Sequence, residues 1–340
     1  MSDQTVTRRP SQFLPNLLKI SGVAVILISF FWPEQVWPLV VFVVKSLAGV
    51  AAIVIPGIFL AAWVTASGAG DRIAKVFEGR IGYTVVVASA IGAVTPVCGV
   101  TVLPLMAGLL AAGVPLAPVM AFWLSSPVTD PPMFATTVAM LGMSFAVGKT
   151  LAAFFLGISG GLVTAFFFTR SWYRKPLREN AIVGSLGATS CGAPVSCEPA
   201  VWKFPERRKR FSKEAWSITR LILICLIPAF AAEYALNALL QPEALTPYIG
   251  AGKWWAVPMA VFVGAPAYLD GYAALPLARG LIEHGMSQGA AMGFLVSGSV
   301  VSIWGAMAIF PVLKIRPFLL YLVLATSGSL AAGWLFELAV

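Results

Sequence analysis

Long, nearly uncharged segments separated by short charged ones dominate the chain. They lie at residues 17–32, 37–70, 81–141, 151–169, 221–240, 254–282, 285–313 and 318–340. Several reach or exceed the roughly 20 residues that an α-helix needs to cross a hydrocarbon core of about 30 Å. Their Val, Leu, Ala and Phe runs show no two-residue alternation, which favours helices over a β-barrel. The pattern therefore predicts an all-α, polytopic helical membrane protein.

The positions of the charged residues predict how the chain is oriented in the membrane. The chain is 59% hydrophobic and 11% charged, whereas about 25% of the residues are charged in a typical soluble domain. Residues 170–220 contain eleven Lys or Arg and four Glu, so 11 − 4 = +7 of the formal net charge of +9 lies in one segment. The positive-inside bias predicts that this segment, like residues 71–80 and 314–316, faces the cytoplasm of a multi-pass protein in the bacterial inner membrane. No recognition pattern accompanies the charge, so a nucleic-acid partner is not expected.

The chain contains an internal repeat. GAVTPVCGVTVLPLMAGLLAAG, from Gly92, aligns without a gap on GAPAYLDGYAALPLARGLIEHG, from Gly264, at an offset of 264 − 92 = 172. The match extends to AFWLSSPV from Ala121 and GFLVSGSV from Gly293. Counting crossings between the basic segments predicts opposite topologies for the two copies, an inverted repeat. We divide the chain into an N-terminal tail with a first span (1–45), a first transmembrane repeat (46–169), a basic cytoplasmic loop (170–217) and a second transmembrane repeat (218–340).

Gly and Pro interrupt the apolar segments at matched positions in both repeats. The interruptions are TPVCG from Thr95, SSPVTDPP from Ser125, APAYLDG from Ala265 and SGSVVS from Ser297. Unpaired backbone groups are tolerated within a membrane only where they are buried or line a cavity, so these broken or re-entrant helices predict a midplane site. The hydroxyl side chains expected to bind or line the path of the substrate are Thr95, Ser125, Thr129, Ser297 and Ser302.

Three acidic residues lie within apolar segments: Asp130, Asp270 and Glu233. A carboxylate in hydrocarbon is costly, so such groups usually face a polar pathway, a cation or a proton relay. Asp130 and Asp270 lie in the interruptions, and we expect them to bind the substrate or exchange it for protons. Glu233 has no interruption beside it and is either a third proton-coupling group or a boundary residue.

The cysteines are the candidate metal ligands. Cys98 lies in the first interruption, where the repeat aligns it with Asp270 (270 − 98 = 172). A thiolate opposite a carboxylate can hold a soft or borderline cation or a trivalent metalloid, although Cys98 can also pack as a small hydrophobe. Cys191 and Cys197 form a second metal candidate without the spacing of a four-ligand zinc site. The string GMSFAVGKT from Gly142 has five residues between its glycines where a phosphate loop needs four, so no nucleotide site is predicted.

At the two matched segments the sequence resembles the ArsP-like predicted permease family, which includes organoarsenical efflux permeases. The resemblance covers both repeats and rests on TPVC with LPL and AAGVPL, on SSPVTDP, and on GAPAY with LPLA and GFLVSG. This chain departs from the family pattern, with Val100 where a second thiol is common, Asp270 for the second-half thiol and Asp130 for the usual Asn. One thiol with two carboxylates suits a divalent cation or proton coupling better than a three-thiol metalloid site.

These features predict a secondary-active permease, and not an enzyme, that exports a metal or metalloid species through a site between the repeats. No cofactor is expected. The predicted partners are the small ion or metalloid substrate and the lipid bilayer, and a homo-oligomer or a partner subunit stays open. A passive channel or uptake permease with the same site is one alternative. A membrane-embedded thiol enzyme or metal sensor that works through Cys191 and Cys197 is another.

Overall fold

The computed structural model describes residues 33–67, 80–95, 102–111, 113–178, 201–239, 253–265, 271–301, 306, 309–310 and 312–340. The first copy of the repeat has the helices α1 (Pro33–Ser67), α2 (Ile81–Val94), α3 (Val102–Ala111), α4 (Leu116–Ser125), α5 (Pro131–Leu141) and α6 (Met143–Ala165). The short α7 (Ser171–Arg174) and a 3-10 turn (Val201–Lys203) follow. The second copy has α8 (Pro205–Leu239), α9 (Ala256–Gly264), α10 (Gly271–Glu283), α11 (Gln288–Val300) and α12 (Ile315–Ala339). The prediction of an all-α fold is confirmed.

Helix length separates the elements into two groups. α6 has 23 residues and α12 has 25, and both are long and apolar enough to cross a membrane, at about 35 Å and 37 Å by a rise of 1.5 Å per residue. α4 and α5 have 10 and 11 residues, which is about half of what a crossing requires. Residues 116–141 therefore form two short helices separated at the interruption that the sequence predicts from Ser125.

The first residues of three pairs of helices differ by the offset found in the sequence. α1 and α8 both have 35 residues, and their first positions differ by 205 − 33 = 172. The first positions of α4 and α11 differ by 288 − 116 = 172, and those of α6 and α12 by 315 − 143 = 172. Gly113 and Gly285 end the turns before α4 and α11 with φ values of 91° and 100°, a backbone conformation that favours glycine. The domain limits predicted from sequence at residues 45 and 217 fall inside α1 and α8. The predicted first span at 17–32 lies outside the described residues.

Each copy has a core of three helices. α4 packs between α2 and α6, and α11 packs between α9 and α12. The close approach depends on glycine at equivalent positions of the long helices. A Cβ at Gly161 would lie 2.7 Å from Val85, and a Cβ at Gly333 would lie 2.5 Å from Val257. Since the repeat offset relates Gly161 to Gly333 and Val85 to Val257, the same contacts hold the core of both copies.

The long helices α6 and α12 pack against each other in opposite directions. Near the start of α6, the ring of Phe145 lies 5.1 Å from that of Phe336, near the end of α12. Farther along α6, a Cβ at Gly160 would lie 3.9 Å from Leu324, which precedes Phe336 by twelve positions in the sequence. The order of contacts along α6 is therefore reversed along α12.

The other long pair, α1 and α8, also packs antiparallel. The ring of Phe42 near the start of α1 lies 5.5 Å from that of Tyr234 near the end of α8. At the opposite end, Nη1 of Arg207 donates a hydrogen bond of 3.0 Å to the carbonyl O of Ser67. Two pairs of equivalent helices thus meet with opposite polarity.

Large apolar side chains remain exposed on the outside of the long helices. Such a surface is unfavourable in water and suits contact with lipid. The exposed positions are equivalent in the two copies: Val147, Leu151, Leu162 and Val163 on α6, and Leu319, Val323, Trp334 and Leu335 on α12.

Candidate functional site

The interruption between α4 and α5 holds Asp130 at a helix N-terminus. Asp130 is the N-cap residue of α5, with extended backbone (φ −147°, ψ 167°), and its Oδ1 accepts a hydrogen bond of 2.7 Å from the backbone N of Met133. Pro131 and Pro132 take the first helical positions, where an N–H would have no acceptor within the helix. The half-buried carboxylate is thereby fixed at the positive end of the α5 dipole.

Lys149 on α6 is buried beside this carboxylate. The side chain is only 2% exposed. Its Nζ lies 3.2 Å from Sδ of Met133, and the Asp130 carboxylate acts on the ammonium electrostatically. Met133 therefore contacts both charged groups, Asp130 through its backbone N and Lys149 through its thioether. Lys149 lies in the second turn of α6, about 9 Å along the helix axis from Met143. Buried ionisable groups at such positions usually mark ion or proton pathways.

The second copy has a phenol where the first has an ammonium. Tyr321 on α12 occupies the position of Lys149 (321 − 149 = 172), and its side chain is also 2% exposed. Its hydroxyl donates a hydrogen bond to the carbonyl O of Val300, at the end of α11. Its ring stacks on Trp123 of α4 at 4.2 Å between centroids and 13° between planes. The buried Nε1 of Trp123 has no hydrogen-bond partner within the described part of the chain. The two equivalent side chains each reach an interruption.

The predicted path residues Ser125 and Ser297 lie in tight helix contacts. Both are fully buried. Their Oγ atoms donate to main-chain carbonyls one turn earlier in their own helices, at 2.9 and 3.1 Å for Ser125 and 3.1 Å for Ser297. Ser125 faces Gly92 and Ser297 faces Gly264, the residues that open the matched segments. This placement explains their small size by packing, and their contact with a substrate stays a prediction.

Some of the other predicted site residues lie within the described ranges, and the rest lie outside them. Thr95 is the C-cap residue of α2, and its Oγ1 donates a hydrogen bond of 2.5 Å to the carbonyl O of Ile91. Thr129 is buried next to Asp130. Glu233 falls in α8, but its side chain is not among those described. The predicted residues that lie outside the described ranges are Cys98, Cys191, Cys197, Asp270 and Ser302. Within those ranges no three His, Cys, Asp or Glu side chains lie close enough to share a metal ion.

Lys149, Trp123 and Tyr321 are not among the site residues that the sequence predicts. Lys149 falls two residues before the apolar stretch at 151–169, which gives it a boundary position in the sequence pattern. α6 begins at Met143 instead, so the apolar residues 143–148 belong to the same span and bring Lys149 inside it. A single Lys with apolar residues on both sides is the signal that could have identified it. The two aromatic residues have no such signal, because core aromatics are common.

The arrangement of Asp130 and Lys149 permits an exchange of ions. Without a substrate, the carboxylate and the ammonium compensate each other's charge, which lowers the cost of burying both. A cation that binds to Asp130 competes with the ammonium. Release of a proton from Lys149 removes this competition, and by linkage a bound cation promotes that release.

Comparison with known proteins gives the family of the chain. A family model described as a predicted permease, of the ArsP type, matches residues 39–338, which include both copies of the repeat. The UPF0718 protein MJ0584 of Methanocaldococcus jannaschii is 24% identical over 299 residues, which cover 75% of this chain and 81% of that protein. No solved structure matches the chain. The match to the family model, together with two apolar helices of membrane-spanning length, shows that the chain belongs to the ArsP-like family of predicted permeases.

Proposed function

We propose that the protein is a secondary-active permease that exports a metal or metalloid species in exchange for protons. The observation that carries this proposal is the placement of Asp130 and Lys149, two opposite charges that both contact Met133 at a helix interruption beside a membrane-spanning helix. Buried ionisable residues of this kind are costly and serve ion pathways in membrane transporters.

The proposal includes an inverted repeat with the site at the interface of its two copies. Equivalent helices that pack antiparallel support it, in both α6 with α12 and α1 with α8. A Cβ at Gly328 would meet the side chain of Leu156, and these two residues are themselves equivalent (328 − 156 = 172). Where two equivalent residues touch each other, the two-fold axis that relates them passes between them, and an axis perpendicular to the spans lies in the plane of the membrane.

The mechanism follows from competition at Asp130. The substrate approaches the interruption after α4, binds the carboxylate and displaces the Lys149 ammonium, which releases its proton to the side from which the substrate came. Rocking of one copy against the other then exposes the site to the other side. Cys98 and Asp270, aligned in the other interruptions, are the proposed further ligands, and the thiolate gives preference for a soft or borderline ion. Glu233 is the proposed third proton-coupling group.

Proton flux in reconstituted vesicles tests the proposal. Purified protein is placed in vesicles with a trapped pH-sensitive dye and is challenged with Zn²⁺, Co²⁺, arsenite and arsenate in turn. We expect transport of at least one of these solutes to be accompanied by proton movement in the opposite direction. An imposed pH gradient should then drive accumulation of that solute in the vesicles. Equal fluxes with and without the gradient would instead identify a passive channel.

Substitution of Asp130 separates its charge from its capping role. Asp130→Asn keeps an N-cap of equal quality, because Asn and Asp are equivalent caps, and Asn is the usual residue of the resembling family. We therefore expect Asp130→Asn to keep the cap and lose only the stability that the counter-charge of Lys149 provides, and to slow gradient-driven transport at least about tenfold, equal to about 1.4 kcal/mol. Asp130→Ala should in addition lose about 1 kcal/mol of stability with the cap.

The contrast between the two variants decides the result. Full transport by Asp130→Asn would show that the carboxylate only caps α5. Loss of transport by both variants, with a lower melting temperature in Asp130→Ala than in Asp130→Asn, supports a charge that acts on the transported ion.

A further inference from the structure

A basic cavity lies where the first copy ends and the last helix begins. Residues 175–178 run beside residues 312–314: Leu177 and Leu313 form an antiparallel bridge. The backbone N of Arg178 donates 2.9 Å to the carbonyl O of Val312, and the backbone N of Lys314 donates 2.8 Å to that of Pro176. The two basic segments that the sequence analysis placed on one side of the membrane are thus in direct contact.

The cavity has a volume of about 600 Å³ and four cationic side chains in its lining: Lys175, Arg178, Lys314 and Arg316. None of its lining residues is acidic. Arg178 is held in place, since its Nε donates 2.5 Å to the carbonyl O of Leu313 and its guanidinium lies 4.3 Å from the Phe310 ring. The Leu313 carbonyl accepts one of the five N–H donors of the guanidinium. Concentrated positive charge around a cavity, next to the N-terminus of the long helix α12, is suited to a phosphate group.

The position of the cavity, at the ends of the two helices of membrane-spanning length, favours a lipid as its ligand. It lies between the C-terminal end of α6 and the N-terminal end of α12, the two helices of membrane-spanning length. Ser171, Trp172 and Ile315 complete the lining, and aromatic side chains such as Trp172 favour the headgroup region. Ile315, Leu319 and Val323 are exposed on one face of α12, so an apolar track leads from the cavity along the span.

We propose that this cavity binds the phosphate of an anionic phospholipid whose acyl chain follows the exposed face of α12. Basic pockets between transmembrane helices on the cytoplasmic side are suited to anionic headgroups. Because the lining comes from the segment that follows the first copy and from the start of the last helix, the bound lipid ties these two parts of the chain together. The inference does not depend on the transported substrate.

The test compares lipids and charge variants of the full-length protein. Purified protein in a neutral detergent is titrated with phosphatidylglycerol and with phosphatidylcholine of identical acyl chains, and lipid binding is followed by native mass spectrometry and by the melting temperature. The variant Lys175→Gln/Arg316→Gln removes two exposed cations of the cavity. The control Lys209→Gln/Arg210→Gln removes two exposed cations of α8. It therefore has the same net charge as the cavity variant.

We expect phosphatidylglycerol to bind and raise the melting temperature, phosphatidylcholine to do neither, and the cavity variant to bind about thirtyfold more weakly than the control, as expected for two cations at an anionic headgroup. Equal binding by the cavity variant and the control would overturn the proposal. An equal shift with inorganic phosphate or glycerol 3-phosphate would also overturn it in favour of a soluble ligand. If the cavity variant does not fold, Arg316→Gln alone should still weaken binding about fivefold, and unchanged binding would contradict the assignment.

Discussion

Lys149→Met is expected to abolish transport driven by a pH gradient, with the initial rate reduced at least about tenfold, or about 1.4 kcal/mol, in a protein that still folds. Met has an apolar side chain of similar length, and it removes a charge from a site that is 2% exposed, so the packing of α6 should tolerate it. Without Lys149, the carboxylate of Asp130 loses the competing group whose proton is exchanged for the substrate. The measurement is proton-driven solute uptake into vesicles, with the melting temperature recorded beside it.

Two further variants make this result specific. Lys45→Met removes an exposed charge from α1 and should leave transport unchanged. Lys149→Arg keeps the charge but cannot release its proton near neutral pH, so it should also lose gradient-driven transport. If Lys149→Arg transports normally, Lys149 is a fixed charge and the exchange mechanism is wrong.

A double substitution tests the coupling between the two groups. Lys149→Met and Asp130→Asn each leave one charge of the pair without its counter-charge, and the double variant leaves neither. We expect the double variant to have a higher melting temperature than Lys149→Met alone, because an uncompensated charge is costly in an apolar environment. Additive effects on stability would mean that the two groups do not interact.

The architecture was largely predictable because it depends on residues that have few substitutes. Gly92 and Gly264 face Ser125 and Ser297 across tight helix contacts, and only small residues fit there. These positions therefore keep a recognisable spacing even when the apolar residues around them differ. The repeat offset obtained from them is also the offset between the starts of α4 and α11, of α6 and α12, and of α1 and α8. The last pair lies where the sequence match gives no indication.

The site was less predictable, because its chemistry depends on contacts between helices. The interruption itself indicates Asp130, since a carboxylate before Pro131 and Pro132 is a recognisable N-cap. Nothing in the sequence indicates that Lys149 meets Met133 on the neighbouring helix, because which face of α6 is buried depends on how α6 packs against α5 and α12. The same holds for Tyr321: its likeness to Lys149 is one of position, and the two side chains share no chemistry that an alignment would detect.

Gly92→Ala should destabilise the protein by about 1–3 kcal/mol, the usual cost of an overpacked contact. An added Cβ would overlap Oγ of Ser125 and lie 2.6 Å from the carbonyl O of Phe122, so α2 and α4 would have to separate. Gly264→Ala should cost as much, since its Cβ would lie 2.6 Å from Oγ of Ser297 and 2.7 Å from the carbonyl O of Phe294. The melting temperatures of the detergent-solubilised variants measure both effects.

Gly82→Ala on the same helix as Gly92 is the matched control. Nothing lies within 4 Å of its Cβ position, and Ala favours a helix over Gly by up to about 1 kcal/mol, so this variant should be as stable as the wild type or slightly more stable. Ser125→Ala should partly rescue Gly92→Ala, because it removes the hydroxyl but leaves the Phe122 carbonyl in the way. If Gly92→Ala and Gly82→Ala melt at the same temperature, α2 and α4 do not meet as described. If only one of Gly92→Ala and Gly264→Ala is destabilised, the two cores are held by different contacts, which contradicts their equivalence.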